Sequence, residues 1–409
     1  MNKGGGFYAD LLQELAKSGV EVTALAPSDA EEEEGMQVEG IVKVIRVKSD
    51  NFRGDIGILK KGFAMLTLQS KYKNAIKKHL NGEQFDYVLL PTPPASLVNL
   101  ALYVKKEMGA KMYVVLRDIH PECFNRRHID SAIMNRTDVY DECKKPYGIS
   151  PLIYKFMYLK SQKLYKHADA IGCMTPANME YLSKIAPYVD KKKILLLPNW
   201  YTSSAMTGFD EVTLRERYGL TNKYIAIFGG TIGAAQAVWN IASLAKHFLN
   251  KKDVVFLVVG RGPKKQTLKN MVAKDSLTNV IFLDYMPRED YEAILNLADV
   301  GLISIDEKYP VPTSPSKVIG YMAMGKPVVA MFNKGNDYGE FYLDAASCGL
   351  WSVDLDHRKM FANFQKLYED KMLREQMGRA GRKYYEEHFT SKRVSELLLK
   401  QLEEIIKYG

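Results

Sequence analysis

The chain has 409 residues, 46% of them hydrophobic and 26% charged, with a formal net charge of +9 and a pI of about 9.0. That length exceeds one typical core, so two domains are expected, and the composition is that of a soluble globular protein. No apolar run is long enough to span a bilayer, no signal peptide is visible, and four scattered cysteines without a C-x-x-C pair argue against a disulfide framework. The expectation is a cytoplasmic protein. Its basic excess suits a phosphate-bearing partner or peripheral contact with the anionic inner face of the cell membrane, without singling one out.

Phe7–Lys17 reads as a helix stopped by Gly19, and Val20–Ala26 as a strand. The acidic run Glu31–Glu34 leads into a short hairpin ending at Val47. Gly57–Leu80 is a long basic helix, Phe85–Leu90 a strand, Ala95–Met108 a helix and Lys111–Leu116 a strand. Pro151–His167 is helical, followed by strands at Ala170–Met174 and Ile194–Leu197. Tyr201–Leu220 reads as a linker, after which the alternation restarts. Strands at Tyr224–Phe228, Val254–Val259 and Val280–Leu283 alternate with helices at Ala235–Leu249, up to Asp275, and at Glu289–Leu297. Strands Val300–Ile305 and Pro327–Met331 flank one further helix, and three helical segments close the chain.

This pattern predicts an α/β protein with two doubly wound domains facing a central cleft. The expected boundaries are 1–200, 201–388, and a closing helix 389–409 that packs back toward the first domain. Ligands of such sheets bind at the carboxyl ends of strands.

Three loops of the second half fall at such ends. Gly229-Gly-Thr-Ile-Gly233 lets backbone amides approach a phosphate closely. In Gly260-Arg-Gly-Pro263, Arg261 can fork onto two phosphate oxygens. In Val311–Ala330, Ser314 is a candidate N-cap, Pro315 fits the first helical position, and Gly325 with Pro327 ends the helix. Lys317 adds a full positive charge to that helix start, already an anion site. Each loop alone would be an ordinary turn; together they read as a diphosphate cradle.

In the first half, Arg117-Asp118-Ile119-His120-Pro121-Glu122 follows a strand, and Asp118 or His120 could orient or deprotonate an acceptor hydroxyl. The plainer reading is that Asp118 pairs with Arg117 or caps a turn. His120, Cys123, His128 and Cys143 match no common zinc spacing. Gly57–Lys78 and Pro151–His167 interleave apolar residues with lysines. The reading is buried apolar faces, with exposed lysine clusters able to dock on anionic lipid.

At these loops the chain resembles the GT-B glycosyltransferases of family 4, nearest the bacterial group that builds O-antigen, capsule and other lipid-linked polysaccharides. The resemblance covers most of the chain. It rests on Gly-Gly-Gly at 4–6, Leu-Arg-Asp-Ile-His-Pro at 116–121, Leu-Pro-Asn at 197–199 and Gly229–Gln236. Val-Gly-Arg-Gly-Pro at 259–263, Pro-Ser-Lys at 315–317 and Met-Ala-Met-Gly-Lys-Pro at 322–327 complete it. It implies a nucleotide-sugar donor, first of all a UDP-sugar, on the second domain and a lipid-linked or nascent polysaccharide acceptor on the first. The implied reaction is a retaining transfer of a hexose or N-acetylhexosamine, with no cofactor and no obligatory metal. The diphosphate would lie on Gly230, Thr231, Ile232, Gly233, Arg261 and Lys317, with Ser316 beside it. The base would stack near Asp284, Tyr285 and Met286. Gly5 and Gly6 would serve the first domain, and Asp118 and His120 match acceptor-side positions. Where the broader family has two glutamates eight residues apart, this chain has Pro312 and Gly320, which moves the ribose contact elsewhere. The Arg/Lys pair usual after the first strand of that domain is also missing.

The alternatives are a GT-B nucleotide-sugar epimerase and a basic nucleic-acid-binding protein. The second is disfavoured by the lack of an aromatic-rich strand motif or compact basic domain. A dinucleotide oxidoreductase lacks its G-x-G-x-x-G signature. One feature of the first domain is anomalous. Met1-Asn2-Lys3 is too short for the strand of about 5 residues expected ahead of a glycine turn. The natural product is therefore expected to carry roughly 10–20 further residues before Met1. The first sheet should then lack a central strand or fill its place with a substitute.

Overall fold

A computed structural model describes residues 7–28, 34–48, 58–119, 151–203, 210–233, 235–309, 311–353 and 356–408. Gly5, Gly6 and His120, together with Cys123, His128 and Cys143, lie outside the described residues. The described chain divides into two compact units, one running to Pro198 and resuming at Ser391, the other spanning Asn199–Thr390.

The first unit contains, in order, α1 (Phe7–Lys17), β1 (Thr23–Ser28), β2 (Gly35–Glu39), β3 (Val42–Lys48), α2 (Ile58–His79), β4 (Tyr87–Thr92), α3 (Val98–Glu107) and β5 (Lys111–Leu116). It continues through α4 (Pro151–His167), β6 (Ala170–Cys173), α5 (Pro176–Ile185) and β7 (Ile194–Leu196). The second unit runs α6 (Glu211–Arg217), β8 (Tyr224–Thr231), α7 (Val238–His247), β9 (Val254–Arg261), α8 (Lys265–Lys274), β10 (Val280–Leu283) and α9 (Arg288–Asn296). It ends with β11 (Val300–Ser304), α10 (Lys317–Ala323), β12 (Val328–Phe332), β13 (Gly349–Val353), α11 (His357–Glu369) and α12 (Lys371–His388). The last helix, α13 (Ser391–Tyr408), belongs to the first unit.

The second unit is one six-stranded sheet in the order β10-β9-β8-β11-β12-β13, every neighbouring pair parallel. The order reverses between β8 and β11, and in such a sheet the ligand crevice opens at that switch point, outside the carboxyl ends. The strands are near-continuous apolar runs because helices cover both faces. One core holds Ile225, Ile227, Leu257 and α10; the other holds Phe228, Phe256, α7 and Phe364 of α11.

The first unit is built differently. Its strands form two sheets, β1-β3-β2 and β4-β5-β6-β7, and among the described residues no strand joins them. β2 and β3 make the expected hairpin, and β1 lies parallel to β3. Both half-sheets face one apolar layer, in which Leu68, Tyr72 and Ile76 of α2 pack with Ile45 and Val47 of β3, Leu25 of β1 and Val88 of β4. Among the described residues β1 and β4 thus each pair on one edge only, and most of their residues keep some exposure. By contrast β8, flanked on both sides, is buried from Tyr224 through Gly229. A parallel sheet of this kind would place one more strand between β1 and β4, and none lies there among the described residues.

α13 is fixed to the β4–β7 sheet by polar side chains reaching its last turns. The Tyr87 hydroxyl donates to Leu402 O, Lys111 Nζ donates to Ile405 O (2.7 Å), and Tyr113 donates to Gln401 Oε1 (2.6 Å). Ile405 O, among the last four carbonyls of the helix, has no partner within it and is a natural acceptor for such a donor.

Several elements differ from the sequence reading. The stretch taken as a linker contains α6, capped by Asp210, whose carboxylate accepts from Val212 N and Thr213 N. α5 is also additional, opened by Thr175 with Pro176 at its start. β8 and β9 run on through Thr231 and Arg261, so the glycine segments begin inside strands rather than after them.

Candidate active site

The three loops do converge in the second unit, and the glycines are what allow it. Gly260 has φ +125°, and a Cβ there would lie 2.1 Å from Gly230 O. Gly262 has φ +152°, and its Cβ would lie 2.3 Å from Ile232 O. Both positions are closed to side chains by backbone conformation and by space. The interlock is completed by hydrogen bonds from Ile232 N to Arg261 O (2.9 Å) and from Lys264 N to Ile232 O (3.1 Å).

Lys317 lies at the start of α10 and reaches across to this interlock. Its Nζ donates to Thr231 O (3.0 Å) and to Gln236 Oε1 (3.1 Å) and sits 4.1 Å from the centre of the Phe228 ring. None of these partners is a carboxylate. The ring face and the two carbonyl oxygens stabilise the cation, but they leave its charge uncompensated, as a site for a phosphate would require. The residue is half-buried and keeps some surface in water.

Burial lowers the Lys317 pKa from the usual 10.5 to about 7. In the unfolded chain the amine keeps its proton up to its ordinary value. Between the two values the unfolded state binds the extra proton. The stability cost of burying this amine is thus present in full below the lower value and fades as the pH rises toward 10.5. A bound anion acts in the opposite sense, favouring the ammonium, so its binding takes up a proton above about pH 7. The dissociation constant of a nucleoside diphosphate is therefore expected to rise by up to about 10-fold per pH unit between roughly pH 7 and 9, above the phosphate's own pKa of about 6. Lys317→Arg should flatten that profile. Titration calorimetry in two buffers of different ionisation heat counts the proton directly, and a flat wild-type profile over that range would contradict this role.

The start of α10 differs from expectation. Ser314 is not its cap: its hydroxyl is bonded to the Tyr342 hydroxyl (2.7 Å), and its carbonyl accepts from Asn199 Nδ2 (2.6 Å). Tyr338 holds Pro315 O (2.7 Å), so the helix opens two residues later, at Lys317. Ser316 precedes it with an exposed side chain that makes no cap bond. The far end matches the reading, with Gly325 at φ +62°.

Arg261 lies on the same edge, its guanidinium 4.4 Å from the centre of the exposed Tyr285 ring. Asp284 is 96% exposed and tied to Lys265. Met286 packs against the core of the unit. Gly230 approaches the Lys317 stem: its Cβ would lie 3.9 Å from Lys317 Cε. Gly233 is half-buried beside Thr231. Ile232 plays a different part from the one expected. Its side chain is fully buried, and its N–H and carbonyl are spent on Arg261 and Lys264, so it shapes the cradle rather than presenting an amide to a phosphate. Gly229 N donates to the buried Tyr321 hydroxyl (3.3 Å), and the Tyr291 hydroxyl occupies the space a Cβ at 229 would need.

At Gly320, the position where a glutamate was missed, the Tyr201 ring lies 3.8 Å from a built Cβ. The Tyr201 hydroxyl donates to the fully buried Glu292 carboxylate (2.6 Å). Sequence reasoning gave no role to Phe228, Gln236, Tyr201 or Glu292. Gln236 closes the glycine motif, which was the one available signal.

In the first unit, Asp118 is exposed just beyond β5. The Arg117 guanidinium lies 4.2 Å from the centre of the Phe7 ring. Tyr8, near both charges, has its pKa pushed up to about 12, by burial first, with Arg117 opposing and Asp118 adding. Asp118, Arg117 and Tyr8 thus form one cluster at a strand end, and Tyr8 was not anticipated.

Residues 210–384 match the family model described as Glycosyl transferases group 1. A probable glycosyltransferase, WbjE, of Pseudomonas aeruginosa is 22% identical over 266 residues, which is 64% of this chain and 61% of that protein. The match thus spans less than two thirds of that relative's length. Among solved structures, a sucrose-phosphate synthase from Thermosynechococcus elongatus matches with a TM-score of 0.72 at 13% identity, covering 99% of this chain and 94% of the other. WaaG, a glycosyltransferase involved in lipopolysaccharide biosynthesis, matches with a TM-score of 0.63 at 14% identity, covering 100% and 97%. Likenesses at such identities show the fold, and that fold is GT-B, with parallel α/β sheets in two domains.

Proposed function

We propose that the chain is a glycosyltransferase that moves a hexose or N-acetylhexosamine, with retention, from a nucleotide sugar to a lipid-linked or nascent polysaccharide acceptor. The donor proposed first is a UDP-sugar. The observation that carries this reading is the half-buried Lys317 ammonium, set at the switch point of the second sheet, whose partners among the described residues are all neutral. A sugar transfer builds negative charge on the departing diphosphate. A cation and dipoles already aimed at that charge lower the barrier without reorganising. Lys317 and Arg261 are assigned that charge, and the reading requires no metal. Tyr285 and the backbone around it are assigned the nucleoside, and Asp118 the acceptor hydroxyl. The match of residues 210–384 to the glycosyl transferases group 1 model supports the same assignment.

The distinguishing experiment follows free nucleotide. A transferase releases it from the nucleotide sugar in proportion to added acceptor, whereas an epimerase interconverts the sugar with no acceptor present. Epimerised nucleotide sugar without acceptor would replace this proposal with the alternative.

We also propose peripheral contact with anionic lipid. α2 contains no acidic residue, and Lys73, Lys77 and Lys78 are exposed along it. α4 also lacks acidic residues and exposes Phe156, Tyr158 and Leu159 among its lysines. Each lysine near such a surface is worth roughly 1 kcal/mol. Changing Lys71, Lys73, Lys77 and Lys78 to Gln is expected to release the protein from phosphatidylserine-containing liposomes while nucleotide binding persists. Equal wild-type binding to neutral and anionic liposomes would exclude the contact.

A further inference from the structure

The ladder between β9 and β10 stops at Val259 and Leu283, whereas β9 stays paired with β8 as far as Arg261. Beyond Val259 the ends of β9 and β10 would splay with the Gly260 and Leu283 carbonyls facing the gap. The Lys265 ammonium fills that place. Its Nζ donates to Gly260 O (2.7 Å), Leu283 O (2.8 Å) and Asp284 Oδ1 (2.9 Å), three acceptors for its three protons. Its side chain is 12% exposed, against 96% for Asp284. The two backbone oxygens therefore carry the contact, and the exposed ion pair adds little. Each carbonyl lies next to a residue of the candidate site: Gly260 precedes Arg261, and Leu283 stands two residues before Tyr285. Those two side chains meet, guanidinium over ring, at 4.4 Å.

Resting on the nucleotide-sugar reading above, we propose that Lys265 is a positioning residue. It holds the ends of β9 and β10 at a fixed separation, so that Arg261 and Tyr285 present one joined platform to the nucleoside half of the donor. It touches no ligand itself and acts only through those two residues. The diphosphate half, held from the other side by Lys317, depends on it only through Arg261 and therefore depends on it less.

The test uses Lys265→Met, which keeps the stem and removes the donors, with Tyr285→Ala, the double variant, and Lys265→Arg as a conservative substitute. Uridine diphosphate and inorganic diphosphate are titrated against each by calorimetry. Lys265→Met is expected to weaken uridine diphosphate about 10-fold, to weaken inorganic diphosphate by no more than about 2-fold through Arg261, and to add less than about 2-fold once Tyr285 is gone. Lys265→Arg should recover part of the loss. Unchanged uridine diphosphate affinity in a folded Lys265→Met protein would overturn the proposal. So would full multiplication of the two single effects, or an equal loss of inorganic diphosphate. Failure of the wild type to bind any nucleoside diphosphate would instead overturn the reading on which this one rests, and this one with it. Tyr285 is exposed, so its substitution leaves the fold intact and keeps the cycle readable.

Discussion

Lys317→Ala is expected to lower turnover about 100-fold or more while leaving the fold in place. The amine is the cation at the junction of the β8 segment and α10, and its partners are two neutral oxygens and a ring. None of these needs it for charge balance. Removing it loses two hydrogen bonds but also relieves the burial of an uncompensated charge, so the two effects offset each other and the melting temperature should scarcely move. In the transition state the leaving diphosphate gains charge, and a water in place of the ammonium would have to reorient to meet it. Loss should therefore appear in kcat as well as in KM, because the ammonium also holds the diphosphate before it leaves. A Lys317→Ala protein with wild-type turnover would remove Lys317 from the mechanism. A protein that no longer folds would mean the residue is structural.

The second large effect is expected at Gly260. Alanine there must adopt φ +125° and place its Cβ 2.1 Å from Gly230 O, a backbone atom that cannot swing away. Strain at such a position and overpacking each cost about 1–3 kcal/mol, so a loss of roughly 3 kcal/mol is expected. For a domain of this size that corresponds to about 6–12 °C in melting temperature. To relieve the clash, the β8 and β9 ends must separate, carrying Arg261 away from Ile232 and Thr231 away from Lys317. Nucleotide binding should fall together with stability. Gly233→Ala is the control for stability alone, since a Cβ there meets Thr231 Cγ2 at 3.5 Å, an ordinary contact. If Gly260→Ala melted like wild type and bound nucleotide normally, the two strand ends would not be interlocked as described.

Much of the second unit was readable in the sequence because its signals are local. Apolar runs of strand length, separated by amphipathic helices, give a parallel sheet with few alternatives, and Gly325 with Pro327 ends α10 where expected. The start of that helix was misread because its determinants are distant. Ser314-Pro315 has the local form of a cap, but Tyr342 and Tyr338, more than twenty residues along the chain, take the Ser314 hydroxyl and the Pro315 carbonyl. Periodicity cannot register such competition. α5 and α6 were missed for a different reason. Thr175-Pro176 and Asp210 are ordinary cap signals, but the helices they open are short, with few apolar positions to repeat.

The cradle residues show the same division. Gly230, Arg261 and Lys317 could be picked out because glycine runs and cations at strand ends have a direct physical meaning. Phe228 beneath the Lys317 amine could not, since inside an apolar strand it reads as core. Lys265 reads as one of several lysines opening a polar helix, and only the end of the β9–β10 ladder gives it a task. Tyr8 follows the glycine run at 4–6 and reads as part of an apolar helical face. Its proximity to Arg117 and Asp118 is a tertiary contact between α1 and the end of β5, which periodicity within α1 does not show.

The central claim is that the β8, β9 and α10 segments of the second unit form a cradle for the diphosphate of a nucleotide. It is tested most directly by calorimetric titration of the wild type and Lys317→Ala with UDP, GDP, ADP and dTDP, each beside its own nucleoside. At least one diphosphate, with UDP expected first, should bind the wild type about 100-fold more tightly than its nucleoside, and that preference should collapse in Lys317→Ala. Equal affinity for diphosphate and nucleoside, or a preference that survives the loss of Lys317, would contradict the account.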